Sequence, residues 1–208
     1  MLEILKENWP SLLKFGLPII ISLASFIISF ITYRTNKKCL DVTFENRIVE
    51  IKSINTENPV IENEDGIFIC YLKVVNPSPS DIAYFDLNVI DKKKPGINID
   101  IYDQLNLKLY DKDASQFKYE KPLYGLTRLN APESNYGVFK SNSFTRLDIA
   151  FTPPLDTTEV IVTFKVAIKS RKNNPYASDR KKFKYYSKTY NLLHISWTKQ
   201  FRTTQPFK

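Results

Sequence analysis

The sequence predicts an all-β, two-sheet sandwich carried behind a single N-terminal transmembrane helix. Three observations predict it. Residues 15–33 contain no charged side chain. After residue 39, short runs of alternating apolar and polar residues recur between Pro- and Asn-rich turns. The 12 Tyr and 14 Phe, with many Ile, Val and Thr, are types that fit a pleated, half-buried surface. The 208 residues divide into an N-terminal segment 1–14, a span 15–33, a basic linker 34–39 and a β domain 40–208. The last is long enough for one sizeable core.

The span reads FGLPIIISLASFIISFITY, bounded by Phe15 and Tyr33, with Lys14 and Arg34 just outside. At 1.5 Å per residue it reaches about 28 Å, close to a hydrocarbon core of about 30 Å. Its Ile, Leu and Phe residues contribute roughly −3 to −7 kcal/mol to insertion, more than the hydroxyl residues, Gly16 and Pro18 take away. A cleaved signal peptide is the rival. It would have a shorter apolar core and a small-residue cleavage site, whereas TYRTNKKC closes this one. Ser22, Ser25, Ser29 and Thr32 fall within about 80° of one another on the helix. Such a stripe lets a partner transmembrane helix, or a second copy, approach closely. The alternative is that each hydroxyl bonds its own backbone and faces lipid.

Lys6 and Lys14 precede the span, whereas Arg34, Lys37, Lys38, Arg47 and Lys52 follow it. The positive-inside rule therefore places the C-terminal domain in the cytoplasm, at the inner or plasma membrane. Leu2, Leu5, Trp9 and Leu12 recur at helical spacing and predict a short interfacial segment. Of the two cysteines, Cys70 lies in an apolar alternating run and reads as a small buried hydrophobe, while Cys39 reads as a free juxtamembrane thiol.

In the β domain, Leu40, Val42 and Phe44 share one face, and the phase then shifts near Ile48, predicting a bulge. Phe68, Cys70, Leu72 and Val74 form the inward face of the second strand. The turn Asn76-Pro77-Ser78-Pro79-Ser80-Asp81 leads to a third, with Ala83, Phe85, Leu87 and Val89 expected inward. Further strands are expected at 105–110, 136–139 and 144–151. Val160, Val162, Phe164, Val166 and Ile168 then share a face, and a last strand runs over 180–191. The segment YLKVVNPSPSDIAYFDLNVID resembles strand pairs of immunoglobulin-like domains in bacterial envelope proteins. That resemblance implies an immunoglobulin-like sandwich and carries no activity with it.

Sequence patterns for catalysis are missing. The single histidine, His194, stands between leucines and Ile195 and reads as a packed residue. No nucleophile elbow, phosphate-binding glycine loop or zinc-ligand spacing occurs. Glu57, Glu62, Glu64 and Asp65 lack calcium-loop spacing and read as a solvated loop. The expectation is a protein that is not an enzyme and uses no cofactor or metal.

Charge is lopsided. From Val160 onward there are twelve bases and one acid, a net +11, against eighteen bases and twenty-one acids before it. If the last two strands pair, one face is expected to present Lys165, Lys169, Lys182, Lys184 and Lys188 beside Tyr186 and Tyr190. Trp197, Phe201 and Phe207 follow among Lys199, Arg202 and Lys208. Anionic lipid or an acidic protein would relieve the repulsion of such a face. Nucleic acid ranks behind these as a partner, and a Lys-rich edge that only blocks aggregation is the bland alternative. The expected role is a membrane-tethered binding module, with an envelope or surface protein of inverted topology as the alternative.

Overall fold

The computed structural model describes residues 12–56, 60–121, 125–176 and 182–192. A π-helical turn, Leu12–Gly16, leads into helix α1, Leu17–Thr35. Pro18 sits in the first turn, where its missing N–H has no helical partner to lose. The helix ends as Asn36 N–H donates back to the Thr32 carbonyl. Residues Lys14–Thr35 form an apolar segment of 22 residues, long enough to cross a membrane, and α1 has no buried residue. Phe15 and Tyr33 are exposed, as are Ser22, Ser25, Ser29 and Thr32. The helix begins and ends two residues later than the expected 15–33. Leu2, Leu5 and Trp9 lie outside the described residues.

The rest is mostly β. The strands are β1 (Asp41–Asn55), β2 (Val60–Asn76), β3 (Ile82–Asp91), β4 (Asn98–Ile99), β5 (Lys118–Lys121), β6 (Gly125–Arg128), β7 (Gly137–Phe139), β8 (Ser143–Phe151), β9 (Glu159–Lys169) and β10 (Phe183–Asn191). A short helix, α2 (Gln104–Tyr110), lies between β4 and β5. The strands form two antiparallel sheets, one in the order β6-β5-β1-β2-β8 and the other β10-β9-β3-β4, with β7 also on β3.

Side-chain alternation decides how the sheets stack. Phe68, Cys70, Leu72 and Val74 of β2, with Leu147, Ile149 and Phe151 of β8, face Val160, Val162, Phe164 and Val166 of β9 in one core. The opposite faces of β2 and β8, carrying Ile67, Ile69, Tyr71 and Ala150, form a second core with Leu107, Phe117, Tyr119 and Leu129. The excursion between β4 and β7 thus covers the outside of the first sheet. That is why β2 is apolar on both faces over residues 66–72, where simple alternation would leave one face wet.

Three local expectations are corrected. The third strand faces inward through Ile82 and Tyr84, then through Leu87 and Val89, whereas Ala83 is exposed. Asp86 adopts φ 53°, and the register on β9 shifts between Phe85 and Asn88, so a bulge reverses the phase midway. Residues 105–110 are α2 and not a strand. Asp103 caps it by accepting the Asn106 N–H at 2.8 Å, and of its alternating leucines only Leu107 is buried. The Asn76–Asp81 turn carries the chain from one sheet to the other, so β2 and β3 are not paired neighbours. The bulge expected in β1 is present, as a register shift between Phe44 and Ile48.

Candidate interaction surface

The β9–β10 hairpin pairs, but its register divides the expected basic face in two. Lys184 lies opposite Val166, Tyr186 opposite Phe164, Lys188 opposite Val162 and Tyr190 opposite Val160. Residues directly opposite in an antiparallel ladder point to the same side. Lys184, Tyr186, Lys188 and Tyr190 therefore take the side of the core. Lys165 lies opposite Tyr185, on the outer side. The sequence misled because alternation within each strand does not say which residue of one meets which residue of the other.

The inner-side residues close the sandwich. β10 is an edge strand, and it faces the first half of β1. Tyr186 Oη donates to the Leu40 carbonyl at 3.2 Å, and Tyr190 Oη donates to the Glu45 carbonyl at 2.9 Å. Phe164 and Tyr186 stack with their rings 5.4 Å apart. Lys188 Nζ reaches the Asn46 side chain at 3.0 Å, and Lys184 Nζ lies 4.8 Å from the Tyr186 ring centre. Burial pushes the Tyr190 phenol well above its ordinary range, helped by nearby Cys70 and Glu45. Burial does the same to the Cys70 thiol. Tyr186 and Tyr190 are thus structural rather than stacking platforms.

Lys165 is fully buried, which removes it from any contact surface. Its ammonium meets Asp86 Oδ2 at 3.0 Å and lies 6.0 Å from the Phe85 ring centre. Phe183 packs edge-on to Phe85 at 5.1 Å. The loop after β9 also returns over this outer side, where Asn174 Nδ2 donates to Thr163 Oγ1 at 3.3 Å. The left-handed bulge at Asp86, which sequence alternation does not announce, aims its carboxylate at the buried lysine.

What remains basic and exposed is the turn end of the hairpin. Lys169, Arg171, Lys172 and Lys182 are exposed there. A shallow hollow of about 500 Å³ is lined by Lys169, Ser170, Lys172, Lys184, Tyr185, Tyr186 and Ser187. Trp197, Phe201, Phe207 and His194 lie outside the described residues, as do Glu57 and the side chains of Glu64 and Asp65. Glu62 is exposed on β2. Among the described residues, no three His, Cys, Asp or Glu side chains group closely enough to hold a metal ion.

The chain's entry to the sandwich is fixed by a small hydrogen-bonded knot that the sequence did not announce. Cys39 N–H donates to Ser78 Oγ at 2.8 Å, and that hydroxyl donates to the Cys39 carbonyl at 3.0 Å. Asn76 Oδ1 accepts the Ser78 N–H at 3.0 Å, which holds the turn in shape. No family model, curated protein or solved structure matches the chain.

Proposed function

We propose that this chain is a membrane-tethered, non-enzymatic interaction module. The observation that carries the reading is α1: an apolar helix at spanning length with no side chain buried by the sandwich. A helix so exposed in water would cost far more than burial of a few residues recovers. A bilayer removes that cost. The excess of Lys and Arg behind the helix favours a cytoplasmic sandwich, with the basic hairpin end as the contact for a protein or for anionic lipid.

The strand order supports an immunoglobulin-like kinship. With β1, β2 and β8 as strands A, B and E, and β3, β9 and β10 as C, F and G, the A–B–E and C–F–G neighbours match that fold, while the described residues put no strand D beside β8. β5, β6 and α2 are then additions. The resemblance of YLKVVNPSPSDIAYFDLNVID to domains of bacterial envelope proteins favours a second reading, an extracytoplasmic surface protein held by an uncleaved anchor.

Two measurements on the full chain test these readings. Retention in the membrane pellet after alkaline carbonate extraction is expected, and release would sink the tethered reading. Cys39 is exposed and Cys70 is buried, so an impermeant maleimide reports on Cys39 alone. Labelling only after the cells are opened is expected. Labelling of intact cells would transfer the domain to the outside.

A further inference from the structure

We infer that the end of the sandwich at which the chain enters is a docking face for anionic phospholipid headgroups of the bilayer that holds α1. The inference rests on the tethered reading above, and holds for either side of the membrane.

Register brings the basic groups to that end. The chain enters at Asp41, opposite Val75 on β2. Asn76 in turn lies opposite Ser143 at the start of β8. Phe139, the last residue of β7, lies opposite Ile82, the first of β3. Lys140 follows, and Asn142 N–H donates to the Ser78 carbonyl at 3.2 Å, beside the entry knot. On the second sheet, Val166 lies opposite Tyr84, so β9 reaches the same level three residues later, at Lys169. Arg171, Lys172 and Lys182 are in the turn beyond it. Three segments far apart in sequence thus put exposed cations at one end, with Lys37 and Lys38 in the linker.

The acids at this end do not cancel them. Asp41 and Asp81 are exposed, Asp81 accepts the Ser141 N–H at 2.7 Å, and Asp86 is engaged by buried Lys165. None of the ion pairs among the described residues involves Lys37, Lys38, Lys140, Lys169, Arg171, Lys172 or Lys182. The far end contrasts with it. There Lys92 pairs with Glu159 at 2.7 Å and Lys94 pairs with Asp156.

Reach and composition choose lipid over a soluble acidic protein. Only Asn36, Lys37 and Lys38 separate α1 from the Cys39 knot, a path of roughly 10–14 Å when extended. Cations held that near a charged bilayer lie within about one or two Debye lengths of it at physiological salt. Exposed Phe144, opposite Val75 at the same end, adds an apolar ring of the kind that an interfacial face buries at the headgroup–acyl boundary.

The test uses the full chain in lipid nanodiscs, with hydrogen exchange read at residues 140–143 and 169–176. Discs of phosphatidylcholine alone are compared with discs containing about a third phosphatidylglycerol. Exchange is expected to slow about tenfold on the anionic discs, and to recover at about 1 M salt, where the Debye length is about 3 Å. Replacing Lys140, Lys169, Lys172 and Lys182 together by Gln is expected to abolish the slowing, while Lys92→Gln with Lys94→Gln leaves it intact. Amides of β2 and β8 in the same spectra report whether each variant is folded. Equal exchange in both discs overturns the inference, as does slowing that survives the fourfold variant in a folded chain. Slowing that needs added acidic protein also overturns it. If the chain fails to enter the discs at all, the tethered reading falls with it. If it enters and ignores lipid charge, the docking face alone falls.

Discussion

Tyr190 Oη donates to the Glu45 carbonyl at 2.9 Å, so an edge strand of one sheet is tied to the bulged stretch of β1 in the other. The ring is buried, and its hydroxyl also meets Cys70 in the core. The bulge presents the carbonyl outside the ladder, and the tyrosine answers it.

Tyr190→Phe is therefore expected to destabilise the domain by about 1–2 kcal/mol, the cost of removing one buried hydrogen bond while keeping the ring. Urea unfolding of the full chain in detergent micelles, followed by near-ultraviolet circular dichroism, measures it. A midpoint shift too small to resolve would show that the carbonyl is equally well served by water.

The Lys165–Asp86 pair gives a second expectation. Lys165 is fully buried and the Asp86 side chain is 39% exposed, so solvent on one side already weakens the pair. Asp86→Asn keeps a residue that tolerates the left-handed backbone and removes only the charge. A loss of roughly 1–2 kcal/mol is expected, at the low end of the range of about 1.5–3 kcal/mol for a hydrogen bond to a charged group because solvent screens Asp86. An unchanged thermal midpoint would assign the lysine's anchorage elsewhere.

High pH should unfold the domain earlier than its ion pairs alone would predict. Burial pushes Tyr84 up from 10.0 to about 12, and burial also raises Tyr71, Tyr190 and Cys70. Each folded-state value lies above the ordinary one. The stability linked to these groups is therefore whole below the ordinary values and is lost as pH rises through the folded ones. For Tyr84 the window runs from 10.0 to about 12. The urea midpoint is expected to fall across that window, and Tyr84→Phe to flatten the fall within it. A slope unchanged by the substitution would refute the assignment.

Phe26 and Ile27 lie near the middle of α1 and are exposed. Replacing both by Asp costs roughly 5–7 kcal/mol of insertion, comparable with everything the apolar residues contribute. The variant is expected in the carbonate-soluble fraction with the far-ultraviolet β signal retained. Persistent membrane retention would mean that the sandwich itself holds the bilayer.

Much of this architecture was legible because burial writes a period into the sequence. β8, β9 and the inner face of β2 repeat at every second residue, and residues 15–33 run without a charge. The signal failed where a second constraint overrode the period. At β3 a left-handed Asp86 reverses the phase, and nothing in Phe85-Asp86-Leu87 announces it. At α2 the leucines at 105, 107 and 109 imitate a strand, yet the Asp103 cap turns them into a helix. The β5–β6 hairpin escaped because its apolar residues are few: Tyr119 is buried, whereas Leu126 is exposed. The contact surface was half legible. The composition located the basic end, but only strand register could show that Tyr186 and Tyr190 serve the interior, and only the Asp86 bulge that Lys165 is buried.

The Cys39–Ser78 knot has a mechanical consequence. A domain joined to its helix by free chain would swivel, and its orientation would carry no information. Here the slack is confined to the three residues from Asn36 to Lys38. With α1 in a bilayer, rotation or tilt of the helix would be passed to the sandwich as by a short lever. Pairing of two helices along Ser22, Ser25, Ser29 and Thr32 would then set the angle between two domains. Ser78→Ala, which cuts the knot without touching either part, would lengthen the slack and blur that angle.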